Sequence, residues 1–119
     1  MPGTTIERIV EARLRMLEHE IPGTKTDYNI FLERRGERGE IIVSDLWDRV
    51  IYVEFVESEG SLDRPEALDQ FTEVTLAGGK ALVIVPDEAH SAAADLLAKD
   101  GNPSIELVSY GVVGIAVLI

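Results

Sequence analysis

The sequence predicts one α/β domain: a mixed sheet covered on both sides by helices, three layers in all, over the whole 1–119 range. Three observations carry this. An amphipathic helical stripe opens the chain, a glycine-punctuated polar turn joins period-2 strands near its centre, and helical segments then alternate with apolar strand-like runs. The order is α-β-β-β-α-β-α-β, an antiparallel meander followed by right-handed crossovers. At 119 residues a single core can be buried without staples, and a composition of 45% hydrophobic and 28% charged residues is that of an ordinary globular domain.

Thr4-Thr5-Ile6-Glu7 has the spacing of a capping box. Ile6, Ile9, Val10, Leu14, Leu17 and Ile21 then recur at helical spacing until Pro22-Gly23 ends the helix. Asp27 to Glu33 reads as a first strand, and the turn Arg34 to Gly39 leads into a second over Glu40 to Ser44. Arg34, Arg35 and Arg38 form the one basic cluster, either a phosphate contact or a hairpin tip interleaved with Glu33, Glu37 and Glu40. Asp45-Leu46-Trp47-Asp48 turns the chain into a third strand, Arg49 to Val56. Alternation sets Val50, Tyr52, Glu54 and Val56 on one face of it, and Ile51, Val53, Phe55 and Glu57 on the other.

A second helix is expected from Leu62 or Asp63 to Ala77, with Pro65 in its first turn and Gly78-Gly79 after its end. Ala81 to Val85 is wholly apolar, the mark of an interior strand. Asp87 or Ser91 caps a third helix reaching about Lys99, Ile105 to Val108 is a further strand, and Val112 to Ile119 a last apolar one.

The net charge of -11, from 22 acidic against 11 basic residues, disfavours a tight nucleic-acid binder, because duplex affinity rests on cations that neutralise phosphates. There is no cysteine, which excludes disulfides and thiolate zinc sites. No signal peptide precedes the first helix, and the apolar tail is too short to span a bilayer, so a cytoplasmic protein without a membrane partner is expected. Gly79-Lys80 lacks the first glycine and the hydroxyl residue of a phosphate loop. His19 and His90 lie far apart in sequence and have no neighbouring histidine to complete a metal pair.

The residue that draws attention is Glu54, a carboxylate in an apolar run. It must be solvated, hydrogen-bonded, paired, protonated or bound to metal. Its surroundings resemble the PD-(D/E)XK restriction-endonuclease-like superfamily, in which an Asp on the second strand and a Glu-x-Lys on the third hold a divalent metal and activate water. Gly39-Glu40-Ile41 and Tyr52-Val53-Glu54-Phe55 match a family of small bacterial endonuclease-like proteins. In that register the family Asp falls on Ile42. A second register, closer to archaeal Holliday-junction resolvases, places the Asp on Asp45, with Glu7 or Glu11 as the first-helix Glu and Gln70 where many members carry Gln. In both registers Val56 stands in place of the Lys.

The resemblance implies a restriction-endonuclease-like fold with Asp45 and Glu54 as weak or vestigial metal ligands and catalytic groups, assisted by Glu11. Without the lysine it implies impaired or lost cleavage, no cofactor or weakly bound magnesium, and a role as an interaction or regulatory protein, as a homodimer or with a protein partner. Trp47 and Tyr110 are the candidate exposed aromatics for such a surface. The alternatives are an active magnesium-dependent DNA endonuclease using Asp45 and Glu54, or an unrelated α/β binding module in which Glu54 is incidental.

Overall fold

A computed structural model describes residues 4–112. The chain runs α1 (Thr5–Glu20), β1 (Lys25–Glu33), β2 (Gly36–Ser44), β3 (Val50–Val56), α2 (Ala67–Leu76), β4 (Lys80–Val85), α3 (His90–Ala98) and β5 (Ile105–Ser109). Short 3-10 turns at Ser61–Asp63 and Asp87–Ala89 precede α2 and α3. The strands form one five-stranded sheet in the order β1-β2-β3-β4-β5. The first three pair antiparallel, and β3-β4 and β4-β5 pair parallel. The fold is therefore mixed α/β, as the alternating periods predict.

The sheet has a core on each face. Ile6, Ile9, Val10 and Leu17 of α1 pack with Ile41, Val43, Val56 and Ile84. On the other face Ala67 and Phe71 of α2 and Ala93 of α3 pack with Val53, Phe55, Ala81, Val83 and Val85. Each strand thus feeds alternate side chains to opposite layers. Tyr52 and Val56 belong with α1, whereas Val53 and Phe55 belong with α2. Phe55 and Phe71 meet edge to face with centroids 4.8 Å apart.

Local chemistry sets the boundaries. Thr4 caps α1, its hydroxyl accepting from the Glu7 amide at 3.2 Å. Residues Glu33 and Gly36 pair across a loop of only Arg34 and Arg35, so β2 begins before the expected Glu40. Gly36 has φ +138, a conformation that side chains rarely adopt. At Gly39, a Cβ would stand 2.7 Å from Val10 Cγ2, so the missing side chain lets α1 lie close to β2. The second helix is shorter than expected. Pro65 drives Arg64 into extended backbone (φ -67, ψ 139), which splits the segment into the Ser61–Asp63 turn and α2.

Gly111 and Val112 lie in a turn after β5, and the rest of the strand expected over Val112–Ile119 lies outside the described residues. Among the described residues no helix is long and apolar enough to cross a membrane.

Candidate functional site

The centre of the candidate site is Glu54, which is fully buried on the α1 face of β3. Its cross-strand partner in β2 is Ile41, and its parallel neighbour in β4 is Leu82. Neither offers a polar atom, so the carboxylate must find its partner above the sheet. That partner is Arg13 of α1, itself only 5% exposed. Arg13 Nε donates to Glu54 Oε1 at 2.8 Å and Nη2 donates to Oε2 at 2.7 Å, a planar fork across both oxygens. Glu20 Oε2 approaches the same guanidinium at 3.7 Å. The hydrogen bonds to Glu54 raise the Arg13 pKa above its ordinary value against the opposing effect of burial.

Tyr52 and Lys80 share this region. They are register partners in β3 and β4, and with Arg13, Glu54, Leu82 and Glu106 they line a cavity of about 180 Å³. Desolvation, followed by repulsion from the Glu54 carboxylate, pushes the Tyr52 hydroxyl up to about 12. Lys80 and Glu106 are exposed at the cavity mouth. The sequence alone leaves Lys80 at the far end of the second helix. The parallel crossover returns it beside Tyr52.

Asp45 lies elsewhere. It follows Ser44 at the tip of the β2-β3 connection, where Oδ1 accepts the amides of Trp47 at 2.8 Å and Arg49 at 3.0 Å, and Oδ2 accepts from Arg49 Nε at 2.8 Å. Partial desolvation pushes its carboxyl up, but the Arg49 and Trp47 amides outweigh this and hold it below the usual range. From Ile41, opposite Glu54, to Asp45 is roughly 13 Å of strand. Asp45 and Glu54 are therefore not brought together. Glu11 is exposed on α1, away from the buried stripe that contains Arg13. Ile42 pairs with Val53 on the face opposite Glu54. Among the described residues no group of three or more His, Cys, Asp or Glu side chains is placed to hold a metal ion.

A second buried carboxylate is one that strand alternation places on the face opposite Glu54 without marking it as a site. Glu57, next after β3, is fully buried and receives Arg64 Nη1, Arg64 Nη2 at 3.2 Å and the Ser61 hydroxyl at 2.7 Å. Gln70 Oε1 takes the Arg64 Nε at 2.9 Å, which gives that glutamine a structural partner. Tyr110 is only 8% exposed and donates to the Glu57 carbonyl, so it belongs to the core and not to an exposed aromatic surface. The basic cluster at the hairpin is divided. Arg38 is 4% exposed, bonded to Glu33 at 2.8 Å and Glu40 at 2.7 Å, and stacked 4.3 Å over Phe31.

The clue to Arg13 was present. It falls three and four positions from Val10, Ile9 and Leu17, inside the apolar stripe of α1, where a solvated arginine has no room. No protein-family model, curated protein or solved structure matches this chain.

Proposed function

We propose that this chain is a restriction-endonuclease-like domain whose cleavage centre has been replaced by a structural ion pair, and that it acts through protein contacts as an interaction or regulatory module. The observation that carries this reading is the Arg13 fork across both oxygens of Glu54. A carboxylate that holds a divalent metal must offer it a free lone pair and its negative charge. Here the charge is neutralised by a guanidinium that burial holds in place. Val56, at the position of the family lysine, is fully buried, and Asp45 is committed to its own loop. These residues do not fit a shared divalent cation.

The element order α-β-β-β-α-β-α-β supports the kinship. The acidic balance and the internal commitment of Arg13, Arg38 and Arg64 count against phosphate binding. An interaction role is supported by Trp47, 75% exposed beside Leu46 at 60%, at the tip of the β2-β3 connection. Trp47 meets the Arg49 guanidinium, 5.7 Å from its ring centre, but the exposed remainder of this apolar tip suits a partner surface.

A second reading, an active magnesium-dependent endonuclease, is favoured by one observation: Lys80 lines the same cavity as Glu54 and is a cation for the missing position. It requires Arg13 to release the carboxylate. Calorimetry with magnesium and manganese, followed by cleavage assays on branched and linear DNA, separates the two. The interaction-module reading expects no saturable metal binding and no cleavage in the wild type. Metal binding and cleavage that vanish together in Glu54→Gln, with the fold retained by circular dichroism, would overturn it.

A further inference from the structure

We infer that β1 is a self-association edge: two copies of this chain pair their β1 strands antiparallel about a two-fold axis at Asn29, joining two five-stranded sheets into one. This rests on the interaction-module reading for its purpose, but its geometry stands on the strand alone.

β1 closes one end of the sheet order and, among the described residues, pairs only with β2. Its nine residues carry no proline and show no bulge against β2. A long, regular edge is a template for another strand. The hydrogen-bonding parity of this edge follows from two independent observations. The two-residue turn makes Glu33 and Gly36 the closing pair of the hairpin, so odd-numbered residues of β1 bond to β2 and even-numbered ones face outward. In agreement, the amide of Tyr28 is taken by the Asp27 carboxylate at 2.9 Å and not by β2.

The outward-bonding residues Thr26, Tyr28, Ile30 and Leu32 are also those on the α1 face, because Tyr28 registers with buried Ile41 and Ile30 packs on the α1 core. Tyr28 is 51% and Leu32 85% exposed. The row whose amides and carbonyls point outward therefore also carries the exposed apolar side chains of Tyr28 and Leu32.

One register fits a second copy. Centring the axis on Asn29 sets Tyr28 opposite Ile30 and Thr26 opposite Leu32, and both pairs have outward amides that exchange hydrogen bonds. It also sets Lys25, which meets Asp48 at 2.8 Å in the single copy, opposite Glu33, which meets Arg38 at 2.8 Å, so that opposite charges face each other on each side of the axis. Shifting the partner by one pleat in one direction places Asp27 against Glu33. Shifting in the other takes Glu33 away from Lys25. Hydrogen-bond parity limits the partner to registers that differ by whole pleats, and charge selects this one among them; α1 of both copies then flanks one continuous apolar row of Tyr28, Ile30 and Leu32. Asp27 must swing off the Tyr28 amide as the strands join, so it acts as a latch on the free edge.

The register is tested by cross-linking, since the chain has no cysteine of its own. Asn29 faces its own copy in a non-hydrogen-bonded pair, about 4.5 Å between Cα atoms, within disulfide reach. Asn29→Cys is expected to give a covalent dimer under mild oxidation. Asp27→Cys alone should not, and the double variant Asp27→Cys/Phe31→Cys should. Sedimentation of the wild type over a concentration series should show a monomer-dimer equilibrium. Tyr28→Pro, which deletes an outward amide and leaves the β1-β2 ladder whole, should lose the dimer while keeping its far-UV spectrum.

A wild type that stays monomeric throughout the series would overturn the inference. So would a dimer in which Asn29→Cys does not cross-link, which would move the interface to another surface such as Trp47. Neither result depends on metal binding or cleavage, so failure here is distinct from failure of the functional reading.

Discussion

β1 and β3 belong to the same sheet and are separated only by β2, yet they solve opposite problems. β3 lies in the interior, where Val53, Phe55 and Val56 are buried and the carboxylates Glu54 and Glu57 at and after its end are fully covered. Each carboxylate is answered from within the chain, Glu54 by Arg13 of α1 and Glu57 by Arg64 before α2. β1 is the more polar strand, yet its Tyr28 and Leu32 stand in solvent, and among the described residues its outer amides have no strand to meet. A buried charge must find its partner inside the fold, because desolvation leaves no alternative. An exposed apolar row is under no such compulsion, and its partner can be another molecule.

The comparison is broken most sharply at Arg13. Arg13→Ala leaves Glu54 buried without its cation and is expected to destabilise the fold by about 3–5 kcal/mol, read as a lower denaturant midpoint. The double variant Arg13→Met/Glu54→Leu should recover most of the loss, since packed apolar groups can replace a buried pair.

A smaller effect is expected where the β1-β2 turn meets the loop after β3. A Cβ at Gly60 would lie 1.9 Å from the Arg35 carbonyl oxygen. Gly60→Ala should therefore destabilise by about 1–3 kcal/mol through overpacking, measured by thermal melting.

Tyr52 gives a pH signature to the β3 side. Its hydroxyl is held up at about 12 against an ordinary value of 10.0. The unfolded chain ionises first, so stability is intact below pH 10 and falls as pH rises from there through about 12. Tyr52→Phe should flatten that part of the alkaline stability profile. If the wild-type and variant profiles decline in parallel, the hydroxyl is not held by its surroundings.

The smallest effect sharpens the β1 side. Leu32→Lys at the edge and Trp47→Ser at the loop tip should each change stability by no more than about 0.5 kcal/mol, because Leu32 is 85% exposed and Trp47, 75% exposed, keeps only a solvated contact with Arg49. A larger loss in either would show that the side chain is packed after all.

Much of this architecture was legible in the sequence. The α1 stripe, the alternation of β3 and the apolar run of β4 carry their own periods, and local periodicity is what a sequence displays directly. The candidate site was legible only by half. Glu54 was conspicuous because a carboxylate interrupts an apolar run. Its partner lies 41 positions earlier in the chain, and nothing local joins the two. Lys80 is hidden for a related reason: its position beside Tyr52 follows from a parallel crossover and not from the helix before it.

The sequence by itself determined the alternation of layers and the Thr4 cap of α1, and it marked Glu54 as a carboxylate that must be solvated, paired, protonated or bound. Those properties follow from backbone sterics and the cost of desolvation, which act residue by residue. Only the tertiary structure decided that the partner is Arg13, that Asp45 stands apart from Glu54, and that β1 is left as an edge. Those are matters of sheet order and register, which arise when distant segments pair and cannot be read from either segment alone.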